Sequence, residues 1–469
     1  MLEHLERQKR LTANQWKIVT AAILGDMLDF FDYFLIGFVL AFVVGGWHLT
    51  YGQSALILLS AGIGAVPGAF FWGWIADKIG RRKAFIGTAL NFSIATGIMA
   101  LTPDTGGWIF LSVLRFFVGF GVSGLFAVDQ ALVQEFVPAS KRGWVGGLVT
   151  ACLPLGLTLG AVLGRFLEPH VGWRGLFAIG LLPALITLLI RVWVPESPRW
   201  LIRKGRFEEA RRSLAWTLQI DPKEIELPIA IPEAEHTSWR ELFKYPRSLI
   251  VSSLVSLSQT GGNGLLLWIV TLFVLVIKIS PTAASGLVIW LSLSGFLGRL
   301  AFSYLSDAIG RRPSGAIVGL AGGLLLALAG YYYNAFIGGV SVFFLLVTVQ
   351  RFFGDGSYAI IGPYSAEIWP APLRASGMGF GYGVGNLGKI IGPLGLAVIV
   401  GTSNFVKPQA TLDAIFPAML FLGFWYAQAG IVFWLFGMET RGRSIEDIDR
   451  ELTGSTPAAV STPARLPAT

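Results

Sequence analysis

The sequence predicts an all-α membrane protein of twelve transmembrane helices, arranged as two pseudo-symmetric halves of six. Three observations carry that prediction. Of 469 residues, 54% are hydrophobic and 14% charged, with a mean hydropathy of +0.65, whereas soluble domains carry roughly a quarter charged residues. A short basic turn occurs twice, at an offset of 230 residues, each time between two long apolar segments. The basic residues also crowd into alternate loops, the pattern of a chain held across a bilayer.

Residues 1–17 are polar and mixed in charge, and read as a short helix or tail at the membrane surface. The apolar run at about 18–44 is too long for a secretory leader and has no Ala-x-Ala site, so it is expected to remain as span one. Further spans are expected near 53–76, 84–102, 108–134, 143–167 and 173–194. The second set falls near 247–277, 283–306, 314–334, 338–368, 375–402 and 411–437. The chain thus divides into a first half (1–194), a basic linker (195–245), a second half (246–437) and a tail rich in Pro, Ser and Thr (438–469).

With an even number of spans, both tails, the 191–247 segment that contains the linker, the 77–83 and 307–313 turns, and the 135–142 and 368–375 loops share one side. That side holds 28 of the 36 Lys and Arg residues; the other holds Arg165, Arg174, Lys278 and Lys407. Both termini are therefore expected in the cytoplasm, with the chain in a plasma or inner membrane. The net charge of +8 is confined to these loops, which argues against nucleic acid as the partner. The single cysteine, Cys152, excludes an intrachain disulfide. His4, His48, His170 and His236 all lie away from mid-span, so neither a metal nor a cofactor is expected.

The repeated turn contains Asp77, Gly80, Arg81 and Arg82 in the first half and Asp307, Gly310, Arg311 and Arg312 in the second. Glu135, Pro138 and Arg142 recur as Glu367, Pro370 and Arg374, and Arg115-Phe116-Phe117 recurs as Arg351-Phe352-Phe353. The Asp-x-x-Gly-Arg-Arg turn after the second span of each half resembles the loop signature of the major facilitator superfamily of secondary transporters. That resemblance implies the major facilitator fold, with a site between the halves near mid-membrane. Pro195-Glu196-Ser197-Pro198-Arg199 and Glu439-Thr440-Arg441-Gly442-Arg443-Ser444 are similar to motifs of its sugar-porter branch. Asp29-Phe30-Phe31-Asp32 with Gly37 resembles the signature of aromatic acid:proton symporters, with Phe30 where that signature has glycine. Arg115-x-x-x-Gly119-x-Gly121 is similar to a motif of proton-coupled members.

A charge at bilayer depth costs at least ~2.5–3.5 kcal/mol, so each one needs a partner, a wet cavity or a task. Asp26, Asp29 and Asp32 recur every third residue of span one and fall on one helix face, with Tyr33 beside them. Three such carboxylates cannot all stay ionised cheaply. Asp29 or Asp32 is expected to carry a proton, with Arg115 modulating it or simply clamping spans one and four. Gln259 and Asn263 continue a polar stripe from Ser252 and Ser256 on span seven. Asp355 with Tyr358 forms a second stripe, on span ten, and Tyr382, Asn386 and Lys389 a third, on span eleven. With Tyr33 these are the candidate substrate contacts, Lys389 most of all because a mid-span ammonium needs an anion. Polar stripes also mediate plain helix packing, and Arg351 with Asp355 reads as an internal ion pair.

Gating is expected at the two turns, at Asp129, Glu135 and Arg142, at Glu367 and Arg374, and at Arg299, placed near the second turn. The expected partners are a small-molecule substrate, protons and lipid, with the chain a monomer. The function expected is proton-coupled symport of a small organic anion. A sugar or polyol symporter and an organic-cation carrier are the alternatives. No nucleotide loop, metal cluster or nucleophile–base set points to an enzyme, and a sensor would be expected to carry a longer signalling tail.

Overall fold

A computed structural model describes residues 3–185, 193–226, 239–370, 373–401 and 408–443, together with 448 and 452. The chain forms twelve helical spans in two sets of six, the major facilitator architecture. Eight of the described helices are apolar enough over their length to cross a membrane. Spans one and ten carry interior charges instead and lie packed among their neighbours.

Span one is the helix Ala13–Val43, and it begins five residues before the expected start. A reciprocal cap explains the difference: Thr12 Oγ1 accepts from the Gln15 N–H at 3.2 Å, and Gln15 Oε1 accepts from the Thr12 N–H at 2.7 Å. Span two, Tyr51–Ile79, opens with the same device at Thr50 and Gln53. Spans three and four are Arg81–Met99 and Gly107–Phe136. Span five is built from Ala139–Ala151, Leu153–Val162 and a π turn over Leu163–Leu167. Span six follows from Glu168–Ile179, with a break at Gly172, and is described to residue 185.

In the second half, span seven is broken at Asn263 into Pro246–Gly262 and Gly264–Ile277. Spans eight to twelve are Pro281–Ile309, Arg311–Tyr331, Val342–Glu367, Arg374–Val400 and Pro408–Phe436. Span ten starts later than the expected residue 338, because Phe336–Ile337 pairs antiparallel with Val340–Ser341 in a hairpin. The linker holds the helices Pro198–Arg203 and Phe207–Leu218, which pack beside the first half.

The halves approach closely at the ends of the spans away from the termini and again near mid-span. A Cβ on Gly37 of span one would lie 2.7 Å from the Leu267 carbonyl oxygen of span seven, and one on Gly164 would lie 3.0 Å from Ser285 Oγ. Mid-membrane, a Cβ on Gly62 of span two would lie 2.9 Å from the Lys389 backbone. Small residues at these crossings let backbone meet backbone, the main source of packing energy between helices in lipid.

Candidate substrate-binding cavity

Each basic turn is one residue long. Gly80 separates spans two and three with φ 107° and ψ 156°, and Gly310 separates spans eight and nine with φ 108° and ψ 157°. Only glycine adopts that backbone cheaply, and a Cβ at either position would strike a carboxylate, Glu196 or Glu439. Glu196 Oε1 accepts from the Arg82 N–H at 3.1 Å, and Glu439 accepts from the N–H groups of Arg311 and Arg312 at 3.0 and 3.2 Å. Each glutamate thus caps the helix after the turn, where the helix dipole favours an anion. Burial pushes the Glu196 carboxyl above the usual glutamate range, and the surrounding N–H donors pull it partly back.

The turn charges stay within their own halves. Arg81 pairs with Asp77 at 2.7 Å and with Glu135 at 3.7 Å; Arg311 pairs with Asp307, and with Glu367 at 3.5 Å. Arg142 binds Glu6 at 2.9 Å and the Gln134 and Val137 carbonyls, tying the N-terminal segment to the loop after span four. Arg312 donates to the Trp434 carbonyl at 2.6 Å, and Arg374 to the Trp369 carbonyl at 3.5 Å. The side chain of Asp129 lies outside the described residues.

Arg299 departs from its expected place. It is buried ten residues before the end of span eight, 3.6 Å from Asp355, with its guanidinium over the Tyr358 ring. Its Nη1 donates across the interface to the Thr150 carbonyl of span five. Arg351 pairs with the same Asp355 one turn along span ten. Asp355 is therefore enclosed by two arginines and does not reach the substrate space, contrary to the sequence expectation. Asn386 is also buried away from that space.

A cavity of about 250 Å³ lies between the halves, walled by spans one, four, five, seven, ten and eleven. It extends toward the face that bears the termini, as far as Ser365 and Met378, near the ends of spans ten and eleven. Seven expected residues line it: Asp29, Tyr33, Gln259, Asn263, Tyr358, Tyr382 and Lys389. The Lys389 ammonium lies 5.5 Å from the centre of the Tyr33 ring and 5.7 Å from that of Tyr382. Asp29 faces the same cavity from the opposite half.

The aspartates of span one part company. Asp29 faces the cavity, whereas Asp32 is fully buried inside the first half beside Thr96, and Asp26 is buried outside the cavity. Arg115 donates to the main-chain carbonyls of Asp32 (3.3 Å) and Tyr33 (2.9 Å). It clamps span one by its backbone, with no ion pair to the Asp32 carboxylate among the described residues.

Sequence reasoning passed over Phe30, Phe34 and Thr260, which also line the cavity. The signal for Thr260 was its position four residues after Ser256. Phe30 and Phe34 flank Asp29 at helical spacing but carry no polar mark.

Comparison with known proteins agrees with this architecture. The fold superposes on the partially occluded, inward-open xylose transporter XylE from E. coli with a TM-score of 0.72 at 20% identity, covering 92% of this chain and all of that one. The sequence is 30% identical to the niacin transporter NiaP of Acinetobacter baylyi over 91% of this chain and 94% of that protein. It is 27% identical to the 4-hydroxybenzoate transporter PcaK of Pseudomonas putida over 88% and 92%. Residues 17–452 match the sugar (and other) transporter family, so the chain belongs to that family of major facilitator membrane transporters.

Proposed function

We propose that the chain is a proton-coupled symporter that imports a small aromatic carboxylate by alternating access, with both termini in the cytoplasm. The observation that carries this reading is Lys389. Its ammonium stands in the cavity between two tyrosine rings, with no carboxylate within ion-pair distance among the described residues. A mid-membrane cation so placed suits an anionic substrate, and the faces of Tyr33 and Tyr382 with Phe30 and Phe34 suit an aromatic one. Relatives named for niacin, 4-hydroxybenzoate and cis,cis-muconate transport support the class.

Coupling follows from the charges facing each other across the cavity. In the empty site Asp29 and Lys389 compensate one another through space. A substrate carboxylate on Lys389 takes over that role, and Asp29 then holds a proton, so acid and proton travel together. Rocking of the halves about the cavity exposes the pair to the other face. A sugar reading is less well supported, because the Asn263 amide is already engaged by Arg351 and Tyr358.

The test is uptake of labelled benzoate, nicotinate and xylose into proteoliposomes. An inward proton gradient should drive accumulation of an acid, and a protonophore should abolish it. Accumulation of the neutral sugar alone, or acid uptake indifferent to the gradient, would overturn the proposal.

A further inference from the structure

The second-half wall of the cavity has a hydrogen-bonding polarity fixed from behind. Ser357 donates its hydroxyl proton to the Gly354 carbonyl at 2.6 Å. Its oxygen can then only accept, and it accepts from Gln259 Nε2 at 3.2 Å. The amide is thereby oriented, which leaves Gln259 Oε1, a pure acceptor, on the cavity side.

A second chain runs in parallel and ends with the opposite sign. Arg351, held by Asp355, can only donate, and its Nη1 donates to Asn263 Oδ1 at 3.4 Å. The other end of the Asn263 amide, Nδ2, therefore donates to the Tyr358 hydroxyl oxygen. The Tyr358 proton is left with no acceptor among the described residues, and Tyr358 lines the cavity. An arginine and a backbone carbonyl, neither of which can reverse its role, thus set one acceptor and one donor on the same wall. These groups lie on spans seven and ten, apart from Lys389 on span eleven.

We infer that Gln259 and Tyr358 form a substituent reader, selecting aromatic acids whose ring carries a group that both donates and accepts a hydrogen bond, such as a phenolic hydroxyl. The inference rests on the reading of Lys389 as the carboxylate anchor. Ser357 and Asn263 are positioning residues, because they act by orienting the two groups that touch the substrate. A site built to bond a hydroxyl discriminates against the analogue lacking it, because its own polar groups are then left unpaired.

The experiment measures equilibrium binding of benzoate, 3- and 4-hydroxybenzoate and 4-methoxybenzoate to the purified full-length protein. The quantity read is the ratio of dissociation constants, benzoate over the better hydroxybenzoate, expected at about tenfold for two neutral hydrogen bonds. The methoxy acid accepts but does not donate, and should show at most about threefold. Gln259→Leu and Tyr358→Phe should each cut the tenfold ratio to about threefold. Ser357→Ala, a milder change, should lower it as well by releasing the amide. Benzoate binding with a wild-type ratio near one, or a ratio unmoved by both Gln259→Leu and Tyr358→Phe, overturns the inference and leaves the anion reading standing. Failure of every acid to bind overturns the anion reading, and this inference with it.

Discussion

The two halves are nearly superposable at the membrane surface and opposite in the interior. At the surface, Gly80 and Gly310 share backbone angles to within a degree, each followed by an arginine whose helix is capped by a glutamate from a distant segment. In the interior, the repeated Arg-Phe-Phe leads to different partners. Four residues after Arg351 comes Asp355, its counterion; four after Arg115 comes Gly119, which packs directly on the Ala61 backbone. Counting only charges buried within the spans or lining the cavity, among the described residues the first half holds three carboxylates against one arginine. The second holds two arginines and a lysine against one carboxylate. The turns are alike in the two halves while the interior charges differ, so the cavity lies between Asp29 on one side and Lys389 on the other.

That contrast is broken most completely by removing the charge that faces the cavity from the acidic side. Asp29→Asn is expected to abolish gradient-driven accumulation while leaving substrate exchange measurable in counterflow. Asp32→Asn, sequestered from the cavity, should impair transport less. An Asp29→Asn protein that still concentrates substrate would remove Asp29 from the coupling scheme.

Next in size is the counterion that the first half lacks. Asp355→Gly gives the second half the composition found at Gly119 and leaves two buried arginines unpaired. Breaking a buried ion pair costs about 3–5 kcal/mol, which thermal unfolding in detergent should register as a marked fall in melting temperature. Adding Arg351→Leu to this variant should recover part of the loss. Equal stability of the Asp355→Gly and parent proteins would mean that the arginines are compensated elsewhere.

On the basic side, Lys389→Gln should weaken binding of an aromatic acid by about ten- to hundred-fold, the value of a charge-assisted hydrogen bond of roughly 1.5–3 kcal/mol. Lys389→Arg should recover part of it, since the planar guanidinium fits the same space differently. Calorimetry on the three proteins decides; an acid bound equally well by Lys389→Gln argues for a different anchor.

The smallest effect tests the sameness of the two surfaces. Glu196→Gln and Glu439→Gln each weaken one helix cap, and each should cost about 1 kcal/mol of stability. The two losses should match closely. A large inequality between them would show that the turns, alike in geometry, carry unequal loads.

By itself the sequence determined the number of spans, their pairing into halves, the basic turns and the pool of interior polar residues. In lipid every peptide group must be satisfied within its own helix, so span length and loop charge are written locally and read directly. Helical spacing also fixed which residues share a face, and from those faces Asp29, Tyr33, Gln259, Asn263, Tyr358, Tyr382 and Lys389 line the cavity, whereas Asp26, Asp32, Asp355 and Asn386 do not. What it left open is how far each helix is rotated against its neighbours, since only packing sets that angle. Asp29 and Asp32 are one turn apart, yet one faces the cavity and the other the core of its own half. Arg299, expected at a turn, is drawn inward by Asp355 from 56 residues away and by the Thr150 carbonyl of the other half. Asn386 shares a stripe with Lys389 but is buried outside the cavity. The polarity of Gln259 and Tyr358 was decided only in three dimensions, because Ser357 orients Gln259 from another helix, and Arg351 acts on Tyr358 of its own helix only by way of Asn263 on span seven.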